Sequence, residues 1–575
     1  MLKRVEARLR TLRLSRRVGA LTALLVASTT LIVQFVDASA FSVSRSSSST
    51  TVPTQFIVKQ FTEGLGRAPT AEEWDHWIGF FSRRARSCGT GSLAVLVQAV
   101  FLDDEFARLR YRRVEALSAL SRAVLNRDLD ATTYQRYGFP RRRWPQVVES
   151  LVRSRVFGRE AAAICRARRP GYYFDNSVRP LQTATGPGFR GSAAELQLAL
   201  DAEAHSGGGI VWLARAAVIY VDRHTPIGGL IRVPPGVQLA TIGRPGPRSY
   251  EKMARLVRVG NTCLLGSSCD QPVLSVEGGR FPATVGGQVQ SLWIDGGGGS
   301  PLTPAKAGST VQLESGANSE IIDSRLDAPI PRGRGGSVTL GLEGIGNNAS
   351  LPCSHMRAVG NLITAYSTDH FLSWRWADGI TVDCEDAGVE RNTIVDASDA
   401  AIALFGNHGV DQRSVIRQNY ILSAGNDAFS ALDVDPHGPC AGCRDTSLRS
   451  FAGSRVKDNT FVSGPRTGFG FGLNLGIRPL LNFPPDGTGA TATNNGTGRA
   501  SARVNVGLAV SGMFDATLTG NTGRFILVHI NSCPLLKSTA GTSAGLASFA
   551  SPPQPHTDNA VISCWITPHR KPSAG

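Results

Sequence analysis

Several signatures are missing from this 575-residue chain, and each absence excludes a class of function. The 63 glycines follow no triplet period, which excludes a collagen-like rod. The run GGGG at residues 296–299 has no phosphate-loop lysine behind it, so nucleotide binding is not supported. Cys440-Ala-Gly-Cys443 has no second CxxC to complete a metal set, so no metal site is expected there, and a small staple in a loop is the better reading. No excess of either charge exists from residue 171 onward. The formal charge of +16 sits earlier: residues 1–36 hold seven Lys/Arg and one acid (+6), residues 37–54 balance, and residues 55–170 hold 21 Lys/Arg against 12 acids (+9), which leaves +1 for residues 171–575. The basic character therefore says nothing about the ligand of the larger part, and no nucleic-acid partner is indicated.

What is present begins with a targeting segment. Lys3, Arg4, Arg8, Arg10, Arg13, Arg16 and Arg17 precede an uncharged run at residues 18–36, and Ala38-Ser39-Ala40 offers a small-x-small cleavage site. The 19-residue run is long for a signal peptide and just long enough to cross a bilayer, so residues 1–40 read as a cleaved signal or a membrane anchor, with membrane anchoring through residues 18–36 in the second case. Either route makes the protein secreted or cell-surface. A Ser-rich linker follows at 41–54. Ten cysteines fall in neighbouring pairs, and an even count in an exported chain predicts the disulfides Cys88/Cys165, Cys263/Cys269, Cys353/Cys384, Cys440/Cys443 and Cys533/Cys564.

Residues 55–170 carry helical periodicity: Phe56, Ile57, Phe61 and Leu65 recur at three- to four-residue spacing, and Thr70 to Glu73 forms a capping-box pattern. Residues 116–128 (ALSALSRAVLNRD) repeat the pattern of 56–68 (FIVKQFTEGLGRA). With Leu65-Gly66-Arg67-Ala68-Pro69 and Trp74 or Trp77, this segment resembles a helical domain of unknown function found in pairs on secreted and surface proteins; the second copy departs at Leu125-Asn126-Arg127. The resemblance implies an α-helical accessory domain of two related repeats. Its Arg-rich surface is either simply solvated or a contact for an anionic surface, membrane or acidic glycan.

The second half repeats a short phrase, an apolar residue followed by spacers, Asn and another apolar residue. It occurs around Asn361, Asn392, Asn419, Asn459 and, more weakly, Asn521. From Asn361 to Asn459 the spacings are 31, 27 and 40 residues, each enough for one three-stranded rung of a solenoid. The Asn suits a tight corner because it tolerates the left-handed conformation, and it can bond to its equivalent in the next rung. Upstream, an amphipathic helix at 193–204 leads into Gly-Gly-Gly-Ile-Val-Trp-Leu and then Ile231-Arg232-Val233-Pro234-Pro235-Gly236-Val237. This order resembles the opening of pectin-lyase-like right-handed parallel β-helix proteins, the superfamily of polysaccharide lyases and polygalacturonase-like hydrolases. The resemblance implies a mainly β fold over 180–535, capped by that helix, with a loop or tail at 536–575.

Three phrases place an acid directly before a strand at one-rung spacing: Asp378-Gly379-Ile380, Asp399-Ala400-Ala401-Ile402 and Asn426-Asp427-Ala428. Carboxylates so stacked could supply the acid and base of glycosidic cleavage, or each could be a turn former bonding to backbone. The resemblance to polygalacturonase-like enzymes is carried by Asp378-Gly379-Ile380 and by Asp399. The chain departs where those enzymes have paired Asp, since Ala400 follows Asp399, and Asn407-His408-Gly409 is only faintly similar to their Gly-His-Gly. The candidate catalytic residues are thus Asp378, Asp399, Asp427 and His408. Trp374 and Trp376 could stack on sugars, and Asp383, Asp433 and His437 flank the strands as further substrate contacts. No cofactor is expected; if the reaction is a lyase elimination, Ca²⁺ would neutralise a uronate. The expected partner is an extracellular polysaccharide, cleaved by hydrolysis or elimination. The alternative is a non-catalytic glycan-binding or adhesion module attached through its basic helical domain.

Overall fold

The computed structural model describes residues 52–83, 88–138, 142–166, 181, 183–222, 225, 229–259, 272–280, 284–297, 309–329, 337–343, 353–365, 377–406, 411–436, 448–476, 487–510 and 513–527. The signal or anchor, almost all of the Ser-rich linker and the 536–575 tail lie outside them. Among the described residues no helix is long and apolar enough to cross a membrane.

Short strands wind into a parallel β-helix, as the repeated phrase and the pectin-lyase-like resemblance imply. Among the described residues, every pairing between the strands of successive rungs is parallel. One face is a 10-stranded sheet running from Gly209–Leu213 to Thr517–Thr519. An 18-stranded sheet supplies the other two faces. The second face runs through Val218–Val221 and Ala254–Arg258 to Thr393–Val395, Tyr420–Ser423 and Thr460–Ser463. The third runs through Ile231–Val233, Leu274–Glu277, Val311–Glu314, Ser337–Glu343, Ala377–Val382, Ala400–Phe405, Ala428–Asp435 and Phe469–Leu475. Alternate Val, Leu and Ile side chains turn inward and form one continuous core from Leu213 to Leu518. Each such side chain contributes about 1.5–3 kcal/mol by leaving water.

A ladder of asparagines fixes the corner between the first and second faces. The side-chain nitrogens of Asn361, Asn392, Asn419, Asn459 and Asn495 each donate to the Oδ1 of the next Asn, ending at Asn521, over 2.8–3.0 Å. Each also donates to a carbonyl of the rung before. The equivalence of Asn392, Asn419 and Asn459 is thus as expected, but the left-handed residue is not the Asn. It is the residue before it: Gly360 (φ 69°), Arg391 (φ 54°), Gln418 (φ 56°), Asp458 (φ 56°), Asn494 (φ 54°) and Gly520 (φ 65°). That residue makes the turn, which leaves the following Asn free to aim its amide along the stack.

The helix Ala193–His205 closes the first rung. Ser192 and Glu195 form its capping box, and Leu196 and Leu200 enter the solenoid core. Gln197 takes both the backbone N–H and the carbonyl of Arg232, at 2.8 and 3.0 Å, and so satisfies an edge strand.

The helical part, Thr54–Gly64 to Arg155–Arg166, carries the Cys88–Cys165 bridge between its two halves, as expected. The Thr70–Glu73 capping box is also present. Gly66 (φ 61°) and Asn126 (φ 58°) are both left-handed, so the second repeat keeps the helix-ending turn with the non-glycine residue that best tolerates it. This part does not sit apart from the solenoid. Its apolar cluster includes Val395, Leu422, Ala424 and Val462 of the second face, and the Trp74 indole donates to the Ser463 carbonyl at 3.0 Å. A buried ionic lattice joins the two. Glu63 meets Arg122 (2.9 Å) and Arg325 (2.7 Å), Asp128 meets Arg122 (2.8 Å) and Arg255 (2.9 Å), and Asp295 meets Arg255 (2.6 Å). The two arginines Arg122 and Arg255 lie over the Trp293 ring.

Candidate functional site

The third face gathers the acids. In register, Glu277, Glu314 and Glu343 occupy one position of three successive rungs. Leu342 pairs with Val382, so Asp383 continues the row, and Phe405 pairs with Asp435 one rung farther on. Two residues back, Thr381, Ala403, Asp433 and Asn474 form a parallel row. Neighbours within a row are about 4.8 Å apart, one strand spacing. The small Ala400 and Ala403 mark the rung between Asp378 and Asp383 on one side and Asp433 and Asp435 on the other. Asp399 stands at the start of that same rung, its N–H donating to the Ala377 carbonyl and its carbonyl accepting from Phe429 N–H.

Burial and mutual repulsion shift these groups strongly. Burial, followed by the charges of Asp383, Asp378 and Glu314, pushes Glu343 up to about 8. Asp383 is pushed to about 7 by burial, against the pull of Arg449. Burial raises Asp378 to about 6; the Thr381 hydroxyl (2.7 Å) and the Ala400 N–H (2.9 Å) both donate to it and limit the rise. Asp399 is held well above the carboxylate range, by burial first and then by Asp378, Asp433 and Asp435. Burial and Asp435 do the same to Asp433, although Asn474 Nδ2 donates to it at 2.7 Å. Like charges taken out of water cannot all ionise, so the group shares protons at neutral pH.

Of the sequence candidates, Asp378, Asp399, Asp383 and Asp433 come together here. Asp427 starts the next rung; its Oδ1 accepts from Gly468 N–H at 3.1 Å, and it does not figure among the charges that raise Asp399. His408, His437, Trp374 and Trp376 lie outside the described residues, as do Cys263, Cys269, Cys440, Cys443, Cys533 and Cys564. Cys353–Cys384 forms as expected and ties two adjacent rungs. The sequence reading passed over Glu314 and Glu343. Their signal was available as an acid closing an alternating strand, Val311-Gln312-Leu313-Glu314 and Leu340-Gly341-Leu342-Glu343. Among the described residues no three His, Cys, Asp or Glu side chains converge as a metal-binding group.

No protein-family model matches the chain, and no curated protein matches it. Solved structures similar to it include the tailspike protein of E. coli bacteriophage HK620 in complex with a pentasaccharide, at 14% identity and a TM-score of 0.33, over 61% of this chain and 60% of that one. The mannuronan C-5 epimerase A-module of Azotobacter vinelandii matches at 14% identity and a TM-score of 0.33, over 60% of this chain and 87% of that one. The Streptococcus pneumoniae surface protein and adhesin PfbA matches at 13% identity and a TM-score of 0.37, over 60% and 96%. The chain thus spans about 60% of the length of the tailspike chain.

Proposed function

We propose that this protein is exported, binds an extracellular polysaccharide along the third face of its β-helix, and hydrolyses it with Asp399 as the proton donor. The observation that carries this reading is the division between two carboxyls that open successive rungs: Asp378 accepts from the Thr381 hydroxyl and the Ala400 N–H, which favours its ionised form, while Asp399 is crowded by burial and by Asp378, Asp433 and Asp435, which favours its protonated form. Glycosidic cleavage needs that division, one carboxylic acid to protonate the leaving oxygen and one carboxylate to activate water or stabilise the developing cation. Hydrolysis suits the residues better than elimination, because a lyase must neutralise a uronate carboxylate and this face offers acids. The disulfides Cys88–Cys165 and Cys353–Cys384 support an oxidising, extracellular compartment.

A non-catalytic glycan-binding surface is the second reading. It is favoured by Asp378 and Asp427, each of which accepts a backbone N–H of the following rung and so acts as a structural clasp. The Asp399→Asn variant separates the two. Hydrolysis requires release of new reducing ends to fall at least 100-fold while oligosaccharide affinity and the thermal midpoint hold. A variant that cleaves as wild type removes Asp399 as the proton donor; a wild-type protein that binds oligosaccharide without releasing reducing ends, or a variant that unfolds, favours the binding surface.

A further inference from the structure

One helix of the helical part has no charged face. Thr90–Phe101 contains neither acid nor base. Leu93, Leu96, Val97, Val100 and Phe101 fill the helical core, and the side turned to solvent is apolar as well. Gly91, Val95, Ala99 and the capping residue Leu102 follow one another at three- or four-residue spacing and are all exposed, Val95 by 46% and Leu102 by 43%. A Cβ added at Gly91 would meet nothing within 4 Å, so the first turn of this strip is open. A surface helix ordinarily carries its charged residues on that side.

Arginines stand at both ends of the strip. At its start, the Cys88–Cys165 bridge ties the helix to Arg155–Arg166, where the exposed Arg166 follows Cys165. At its end, the Trp144 indole donates to the Phe101 carbonyl at 2.8 Å, which brings the exposed Arg142 and Arg143 to that end. Among the described residues from 88 to 166, nine arginines are exposed against two acids, Asp103 and Asp104. Asp103 is engaged as a helix cap, its side chain accepting from Glu105 N–H.

We infer that residues 91–102 dock on the headgroup layer of a membrane rich in anionic phospholipid, with Val95, Ala99 and Leu102 entering the interface and Arg142, Arg143 and Arg166 on lipid phosphates. The docking is independent of the glycan reading above. An arginine fork pairs with phosphate oxygens, and the excess of exposed arginines complements a negative surface. The apolar strip decides between the two anionic surfaces that the charge alone would fit. A lipid interface takes up Val95 and Leu102, whereas an acidic glycan, hydrated along its length, does not. Chain length is consistent with this. Residues 37–53, 17 in all, separate the uncharged run at 18–36 from Thr54, so a run kept in a bilayer would hold the helical part within about 60 Å of it. Two large apolar side chains are too few for permanent insertion, so the docking is reversible.

The test places an environment-sensitive fluorophore at residue 99 of the full-length protein through Ala99→Cys, and a control label on the capping helix through Ala202→Cys. Each protein is mixed with vesicles of phosphatidylcholine alone or with about one-third phosphatidylglycerol. Attachment through residues 18–36 would bring both labels to the vesicle, so only a difference between them reports docking. The label at 99 should shift to shorter wavelength and be quenched by brominated acyl chains in the anionic vesicles, and the label at 202 should do neither. Raising the salt concentration should reverse the shift. Arg143→Glu combined with Arg166→Glu should require at least about tenfold more anionic lipid for the same shift, since each cation at such a surface is worth about fivefold in affinity. No shift at 99, or an equal shift with phosphatidylcholine alone, would overturn the assignment. A shift with soluble polygalacturonate but not with vesicles would overturn it in favour of an acidic-glycan contact. If the double arginine variant does not fold, the lipid and salt dependence of the singly labelled protein decides alone.

Discussion

Asn419 illustrates how much a single residue does in a stacked fold. Its amide donates to the Asn459 Oδ1 and to the Val389 carbonyl, while its Oδ1 accepts from both the backbone and the amide of Asn392. Asn419→Ala would leave several buried groups without partners, and each costs about 1–3 kcal/mol. A loss of roughly 3 kcal/mol or more is expected by chemical denaturation, whereas Lys457→Ala on the outer side of the neighbouring rung should cost under about 0.5 kcal/mol. The Asn phrase was plain in the sequence, but Asn495 was overlooked because Thr493 and Asn494 hide its apolar frame. Glu343 behaves in the opposite sense. Its folded pKa of about 8 lies above the ordinary 4.5, so its contribution to stability is intact below 4.5 and is lost as pH rises from there toward 8. Glu343→Gln should therefore raise the stability at about pH 9, by roughly 1–3 kcal/mol after allowance for partial exposure, and change little at about pH 4. Thermal midpoints of both proteins across that range check the sign.

At the scale of elements, the helix Thr54–Gly64 marks the limit of sequence reading. Its 3.6-residue periodicity was legible, with Phe56, Ile57 and Phe61 as the apolar stripe. Yet all eleven residues are buried, Lys59 and Glu63 included. The groups that make this tolerable, Arg122, Asn126, Tyr250 and Arg325, lie tens to hundreds of residues away, and no local pattern announces them. Arg325→Met should be severe, about 3–5 kcal/mol, because it removes the guanidinium paired with both Glu63 and Asp327 inside a buried lattice and leaves Arg122 to hold Glu63. The double change Arg325→Met with Glu63→Gln should recover part of that loss, and the interaction energy from the double-mutant cycle measures the coupling.

For the whole molecule, the helical part and the solenoid form one buried system, which the separation of residues 55–170 by composition and charge did not foretell. A net charge does not say which charged groups are buried, and the joining arginines are paired with acids inside. A chain beginning at residue 181 would expose Val395, Leu422, Ala424 and Val462 and leave Arg255 and Arg325 without Asp128 and Glu63. It should be insoluble or lose its β-sheet circular dichroism, whereas an attachment module could be removed without loss. The acid rows show the same division at the site. Asp378 and Asp399 were legible from strand-opening position, while Glu314 and Glu343 emerge from register across rungs. The most direct measurement is a panel of neutral, amino and uronic polysaccharides incubated with the full-length protein and read for both reducing ends and the absorbance of unsaturated uronides. The acid cluster predicts new reducing ends from at least one non-uronate polymer with no unsaturated product. Unsaturated uronides, or no product from any polymer that binds, would contradict it.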